Sequence, residues 1–279
     1  IKANNYYYIA VPPVTLKAGW TIKFTASDGT VYSRKGTNDI IFTRNKVTNL
    51  GVFDIDGEYW YNPSGNVTSD KEVDLGLTIN IGTKNYKVIF AKSNLTEEGL
   101  AENEYDYGDY FAWGATEPLY KSYTIENGKA TVLNNDWLKT DGYIEANAPT
   151  LDNKYTSEKN FEMSDDPARK ILGGDWQIPT KAIWDVLVNI STKRWDSGYK
   201  FTNNSQTLFL PAAGYVWRTS FYNVGSSGRY CSGTTASLND NADYLHFENV
   251  NRHSQHMASR SHGFPTPPVR LAEVSKSPK

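Results

Sequence analysis

Four histidines gathered in one stretch offer metal or acid–base chemistry if their spacing lets them converge. Here they run His246-x6-His253-x2-His256-x5-His262, and the chain's only cysteine, Cys231, lies shortly before them. A zinc site needs about four converging ligands, closed in a structural site and with one position open in a catalytic site. The spacing is irregular and no His-Glu-x-x-His pair occurs, so imidazoles facing solvent or a ligand are expected in preference to a metal site. A lone thiol with a neighbouring imidazole has the parts of a nucleophile. The favoured expectation for Cys231 is a small residue filling a gap. Asn239-Asp240-Asn241 and Asp243 carry oxygens, but such runs ordinarily make solvated turns. Gly225-Ser226-Ser227-Gly228 lacks the lysine and following helix of a phosphate loop. The expectation is a protein that is not an enzyme, with no catalytic residue, no cofactor and no metal.

The composition around these residues points to contact. No lysine occurs between Lys200 and Lys276, and from Gly214 to His262 the chain is rich in Ser, Asn, Tyr, Arg and Gly. Rigid amphipathic rings, a few cations and small adaptable polar residues are the vocabulary of a binding surface. Trp217, Tyr222, Tyr230 and Tyr244, with Arg218 and Arg229, are candidate anchors, set against an inward-packing role for half of the rings. Alternation links the faces: if Tyr244 faces out, His246 shares its face, and Leu245 and Phe247 face in.

The chain as a whole is consistent with a scaffold for such a surface. It has 279 residues, enough for two domains, with 19 Tyr and 8 Trp to build a ring-rich core. The net charge of −2 without a basic block gives nucleic acid no electrostatic support. One cysteine excludes an intrachain disulfide framework, and no apolar run is long enough for a transmembrane helix. The start at Ile1-Lys2-Ala3 reads as mature or truncated, with any address signal removed.

Residues 1–57 read as all-β: Tyr6–Val11, Trp20–Thr25, a turn at Ser27-Asp28-Gly29-Thr30, Val31–Ser33, Asp39–Thr43 and Lys46–Val52. Four or five strands make half a sandwich, whose bare face and edge invite a partner. Residues 58–72 read as a linker. Beyond it, Thr78–Ile81 and Tyr86–Ala91 flank a turn at Gly82-Thr83-Lys84-Asn85, and residues 115–160 form a long irregular excursion. Ser164–Leu172 and Thr180–Ile190 carry helix signals: acids and Pro167 at the start of the first, and in the second Thr180 as N-cap, an apolar stripe, then Lys193 and Arg194. Further strands are expected at Tyr199–Thr202, Thr207–Pro211, Val224–Tyr230, Asp243–Phe247 and Pro268–Leu271. Trp113, Trp176, Trp184, Phe209 and Tyr215 are the expected core rings.

Two family resemblances add to this. The strand Tyr7-Tyr8-Ile9-Ala10-Val11-Pro12-Pro13, the hairpin Thr25–Tyr32 and the ending Arg44–Gly51 resemble the C-terminal strands of fimbrillin-like domains of Bacteroidetes surface proteins. The ordered motifs Gly108–Gly114, Asp165–Arg169, Gly173–Thr180, Phe209–Tyr215 and Pro268–Leu271 resemble the C-type-lectin-like domains of such proteins, whose fold is shared with formylglycine-generating enzymes. The second resemblance implies an α+β domain over 73–272 with a tail at 273–279. It implies two helices and one twisted antiparallel sheet, with Leu75–Leu77 beside Val269–Leu271.

A subset of that fold comprises the variable proteins of diversity-generating retroelements, in which adenine-directed mutagenesis alters a C-terminal patch. The resemblance implies Ser220, Tyr222, Arg229, Cys231, Tyr244, His246, His253, His256, Ser261 and His262 as variable positions. Trp217, Glu248, Gln255 and Met257 would be fixed, with Trp217 also in the binding surface. The calcium-binding triplets of sugar-binding members are absent, and the oxidase reading fails on the missing second cysteine. The resulting expectation is an adhesin-type recognition protein at the cell surface, binding a protein or glycan, with an assembly partner met through residues 1–55. The alternatives are a structural pilus or cell-wall subunit without its own ligand and a Cys-dependent oxidase of the formylglycine-generating type.

Overall fold

Short runs of β-branched and aromatic residues, punctuated by Gly and Asn turns, fold locally into hairpins, and hairpins dominate this protein. The computed structural model describes residues 12–25, 31–36, 38–44, 52–54, 59–61, 65–127, 129–133, 154–155, 158–160, 162–190, 192–237, 241–249 and 252–274. The chain forms two compact units, Ile1–Pro63 and Ser64–Lys279. The expected Tyr6–Val11 strand, the Asp28-Gly29 turn and most of Lys46–Val52 lie outside the described residues. In the first unit, strands β1 (Val14–Leu16), β2 (Thr21–Thr25), β3 (Val31–Lys35), β4 (Ile40–Phe42), β5 (Val52–Asp54) and β6 (Tyr59–Tyr61) pair antiparallel as β1–β4, β2–β3 and β5–β6. Part of the stretch read as a linker is therefore strand β6, and a 3-10 turn follows at Ser69–Lys71.

The second unit continues with β7 (Glu72–Val73), β8 (Thr78–Ile81), β9 (Lys84–Ala91), β10 (Leu95–Thr96), β11 (Gly99–Leu100), β12 (Phe111–Ala112), β13 (Tyr123–Glu126) and β14 (Lys129–Val132). After two helices come β15 (Lys193–Trp195), β16 (Gly198–Asn203), β17 (Gln206–Pro211), β18 (Tyr215–Trp217), β19 (Ser220–Tyr222), β20 (Ser227–Thr235), β21 (Asn241–Glu248), β22 (Arg252–Ser259), β23 (Gly263–Phe264) and β24 (Val269–Glu273). The principal sheets run β24–β9–β7 with β8 also on β9, β15–β16–β17, β20–β21–β22, and β12–β23–β18–β19.

This corrects the expected α+β C-type-lectin-like fold. The protein is mostly β, 46% strand against 11% helix, in several small antiparallel sheets. The helix signals are genuine but short, so the sheets carry most of the core. Pro167–Leu172 has six residues and stops at Gly173, which takes φ 70°. Lys181–Val188 has eight, and Thr180 stands at its N-cap without a side-chain cap bond. Lys193 does not lie in the second helix but reaches back to it, its Nζ donating to Val188 O at 2.6 Å. Part of the excursion read as irregular forms the hairpin β13–β14. The turn after β8 is tighter than expected, Gly82-Thr83 alone, with Ile81 opposite Lys84.

Leu75–Leu77, expected beside Val269–Leu271, is not a strand, and the first and last strands of the second unit are not side by side. Strand β9 lies between them, with Val73 and Val269 both opposite Phe90. Arg270 bridges this gap with a two-pronged ion pair, Nε to Glu72 Oε1 and an Nη to Oε2, each 2.8 Å. Both side chains are largely buried, at 15% and 14% exposure. Glu72→Gln should therefore strand the guanidinium and lower stability by about 2–3 kcal/mol. Urea denaturation checks this, and Glu72→Gln matching the wild type would show the pair to be dispensable.

The sheet β20–β21–β22 is packed on both faces, which fixes what it can display. Tyr230, Leu245 and Phe247 point into one core with Trp184, Leu187, Tyr199, Phe201 and Phe90. On the other face Cys231, Ala242 and Tyr244 enter a second core with Trp113, Tyr155, Trp176 and Phe264. Trp184 is fully buried, and its Nε1 donates to Cys231 O at 2.9 Å, tying the second helix to the sheet. Among the described residues no helix is long and apolar enough to cross a membrane.

Candidate functional site

Register decides which side chains meet. Arg229 stands opposite His246, and Cys231 opposite Tyr244, which in turn pairs with His256. With a period of two, Arg229, Cys231, Tyr244, His246 and His256 share one face. The hairpin β18–β19 joins this face through β23, with Val216 opposite Gly263. Tyr215 and Trp217 then share one side of β18, and His262 adjoins β23.

The rings form one continuous patch. Tyr244 and Phe264 lie near-parallel with centroids 5.1 Å apart, Tyr244 and His256 at 5.8 Å, and His262 and Phe264 at 6.1 Å. His262 adjoins Trp217 at 5.9 Å and Tyr215 at 5.5 Å, while Tyr215 stacks on Tyr222 at 5.3 Å. His246 meets His256 edge-on at 5.1 Å. In the middle sits Arg229, its guanidinium 4.0 Å from the Tyr215 ring centre and 5.5 Å from that of Tyr244. Arg218 lies 5.1 Å over Trp217. Such cation–ring contacts are worth about 0.5–2 kcal/mol each.

The expected site residues divide by depth. Trp217, Tyr222, Ser220 and His256 are exposed, with Trp217 at 40%. Arg229, His246, Ser261 and His262 are half-buried. Cys231 and Tyr244 are buried at 5% and 6%, so they lie beneath the surface and support it from below. Ser220 sits opposite Trp217 at the end of the β18–β19 hairpin, at the edge of the ring stack. His253 lies on β22 opposite Phe247, and its side chain is outside the described residues. Of the other candidate anchors, Tyr230 is core, its hydroxyl donating to Pro211 O at 2.6 Å.

Electrostatics follow from the packing. Burial first, and then the Arg229 charge, lowers the His246 pKa below the ordinary imidazole value, with Glu248 acting against them. His246 Nε2 lies 3.3 Å from Glu248 Oε1, without the alignment of a hydrogen bond. His262 is lowered by burial and by Arg229, against a bond from its Nδ1 to Ser259 O at 3.0 Å. Burial drives the Cys231 thiol well above its usual range, with Asp166 adding to the effect. Nucleophilic chemistry needs the thiolate, which this environment disfavours. No group of three or more His, Cys, Asp or Glu placed to hold a metal occurs among the described residues.

The sequence reading missed Phe264, which bridges Tyr244 and His262, and placed Tyr215 only in the core. A signal existed: Tyr215/Trp217, Tyr244/His246 and His262/Phe264 are all ring pairs two residues apart, the spacing of one strand face. Compared with protein-family models, curated proteins and solved structures, the chain gives no match in any of the three.

Proposed function

We propose that the protein is a non-enzymatic recognition module of the adhesin type, which binds a macromolecular ligand through the patch of Trp217, Tyr222, Arg229, His246, His256 and His262. The reading rests on one observation: rings and cations from five strands and the adjoining turn converge into a single contiguous, partly exposed cluster anchored on two cores. A rigid backing lets exposed aromatic anchors bind without first losing side-chain freedom. In this reading the protein works at the cell surface, and residues 1–55 attach the module to a larger assembly.

The test is binding of the full chain to a panel of glycans and surface proteins, with and without EDTA, comparing the parent with Trp217→Ala/Tyr222→Ala. Both side chains are exposed, so the double variant should fold. Binding is expected to be indifferent to EDTA and at least about tenfold weaker in the variant. Equal binding by the variant would move the site elsewhere, and loss on EDTA would bring in a metal.

A further inference from the structure

The charges within the patch point to the chemistry of the ligand. Arg229 is its central cation, and its Nε is buried without a hydrogen-bond partner. The neighbours it meets are two Tyr rings, with its charge also felt at His246 and His262. Around it stand Tyr215 from β18, Cys231 from its own strand, Tyr244, His246 and Glu248 from β21, His256 from β22, and His262 beside β23. Arg218 and Tyr222 contribute from the β18–β19 hairpin. Glu248 is the acid in this set, and it lies against His246. A half-buried guanidinium walled by rings forms strong charge-assisted bonds with an incoming carboxylate.

The rings favour the same partner. Tyr222 spends a face on Tyr215, and Trp217 lies near-parallel to His262 while carrying Arg218 over its ring. Sugar rings dock on open aromatic faces, and here one face of Tyr222 and the Trp217 ring are partly taken up by these contacts. The edges of aromatic rings are electropositive, so a carboxylate is better suited to what remains than a neutral pyranose.

Resting on the recognition reading above, we infer that Arg229 receives a side-chain carboxylate from an acidic segment of a partner protein. Burial and Arg229 lower the His246 and His262 pKa values in the free protein, and an incoming anion raises them, so proton uptake accompanies binding and affinity rises as pH falls. The partner's carboxylates remain ionised until the pH approaches about 4.

The experiment uses the full chain with poly-L-glutamate as probe, and polygalacturonate and neutral dextran as comparisons, at pH 8.0 and 5.5. Arg229→Gln removes the charge while keeping a side chain of similar reach, and Arg194→Gln removes a surface charge as control. Near-UV circular dichroism verifies that each variant retains its packing. The expected result is poly-L-glutamate binding that is about tenfold or more weaker in Arg229→Gln, unchanged in Arg194→Gln, and several-fold tighter at pH 5.5. Arg229→Lys should recover part of the affinity, since it keeps the charge without the two-pronged geometry.

Poly-L-glutamate binding unaffected by Arg229→Gln in a folded variant would overturn the inference, as would no binding at either pH. Polygalacturonate binding through Arg229 without poly-L-glutamate binding would assign the carboxylate to a sugar and overturn the protein choice. A panel ligand lost in Trp217→Ala/Tyr222→Ala but indifferent to Arg229→Gln and to pH would leave the recognition surface standing and remove this inference alone. A ligand indifferent to both changes would remove both.

Discussion

Replacing Gly214 with alanine is expected to lower stability by at least about 3 kcal/mol and to abolish binding at the aromatic patch. Gly214 takes φ +62°, and an added Cβ would fall 2.1 Å from Tyr222 O and 2.7 Å from Val224 N. Both are backbone atoms, so no rotamer change relieves the contact. Left-handed strain accounts for roughly 1–2 kcal/mol, and forced displacement of packed backbone for about 1–3 more. The displaced segment is the hairpin that carries Tyr215, Trp217 and Tyr222, whose base is held by Gly214 N donating to Ser227 O at 2.8 Å. Gly82→Ala is the matched control. Gly82 has nearly the same φ, +59°, with nothing within 4 Å of the added atom, so only the left-handed strain of roughly 1–2 kcal/mol should appear. Urea denaturation of the two variants measures the difference, and equal losses would show that the contact at Gly214 is relieved by movement.

Asp166→Ala should be nearly as damaging, with a loss of about 3–5 kcal/mol. The Asp166 Oδ1 accepts from Ala168 N at 2.9 Å and Arg169 N at 3.3 Å, capping the first helix, while Oδ2 accepts from Ile178 N at 2.9 Å. Ile178 follows Gln177, whose N donates to Val269 O at 2.8 Å, so one buried carboxylate links a helix start to the segment docked on the last strand. Alanine orphans three donors at about 1 kcal/mol or more each. A loss under about 1 kcal/mol would mean they find other acceptors. Asn keeps the cap but turns an N–H toward Ile178 N, and should lose about 1–3 kcal/mol.

The two Asp166 variants also differ from the wild type in their response to pH. Burial pushes the Asp166 carboxyl from its ordinary 3.8 up to about 6, against its three N–H bonds. The folded state thus holds the proton more tightly than the unfolded chain. The group's favourable contribution is full below about pH 3.8, is lost as pH rises to about 6, and changes little beyond. Over that window the loss is on the order of 3 kcal/mol. Because Asn does not ionise, the stability gap between wild type and Asp166→Asn should narrow from pH 4 to pH 7. Denaturation across that range checks the sign, and a widening gap would reverse it.

The patch was partly legible because side-chain period two is a local property. The alternation Tyr244-Leu245-His246-Phe247 correctly separates an inward Leu245 and Phe247 from a Tyr244/His246 face. It could not tell that Tyr244 would be covered while His246 stayed half-exposed. That depends on Phe264, 20 residues later, which arrives through the pairing of β12 with β23 and stacks on Tyr244. Cys231 was read as a gap-filling residue or a mutated position, and packing beside Tyr244 in the second core decided for burial. The helix signals at Asp166-Pro167 and Thr180 also marked true starts. Their lengths, and hence the fold class, followed from how little apolar surface two short helices could cover beside so many hairpins.

The sequence by itself therefore determined the local elements: the ring-rich strands, the two short helix starts, and a histidine- and arginine-bearing segment free of lysine. These rest on backbone preference and side-chain period, which act over a few residues. Only the tertiary structure decided that the protein is mostly β, that β9 separates β7 from β24, and that Arg229 sits among Tyr215, Tyr244 and the histidines. These are long-range pairings, and a shift of one residue in any of them would turn a different set of side chains to the surface.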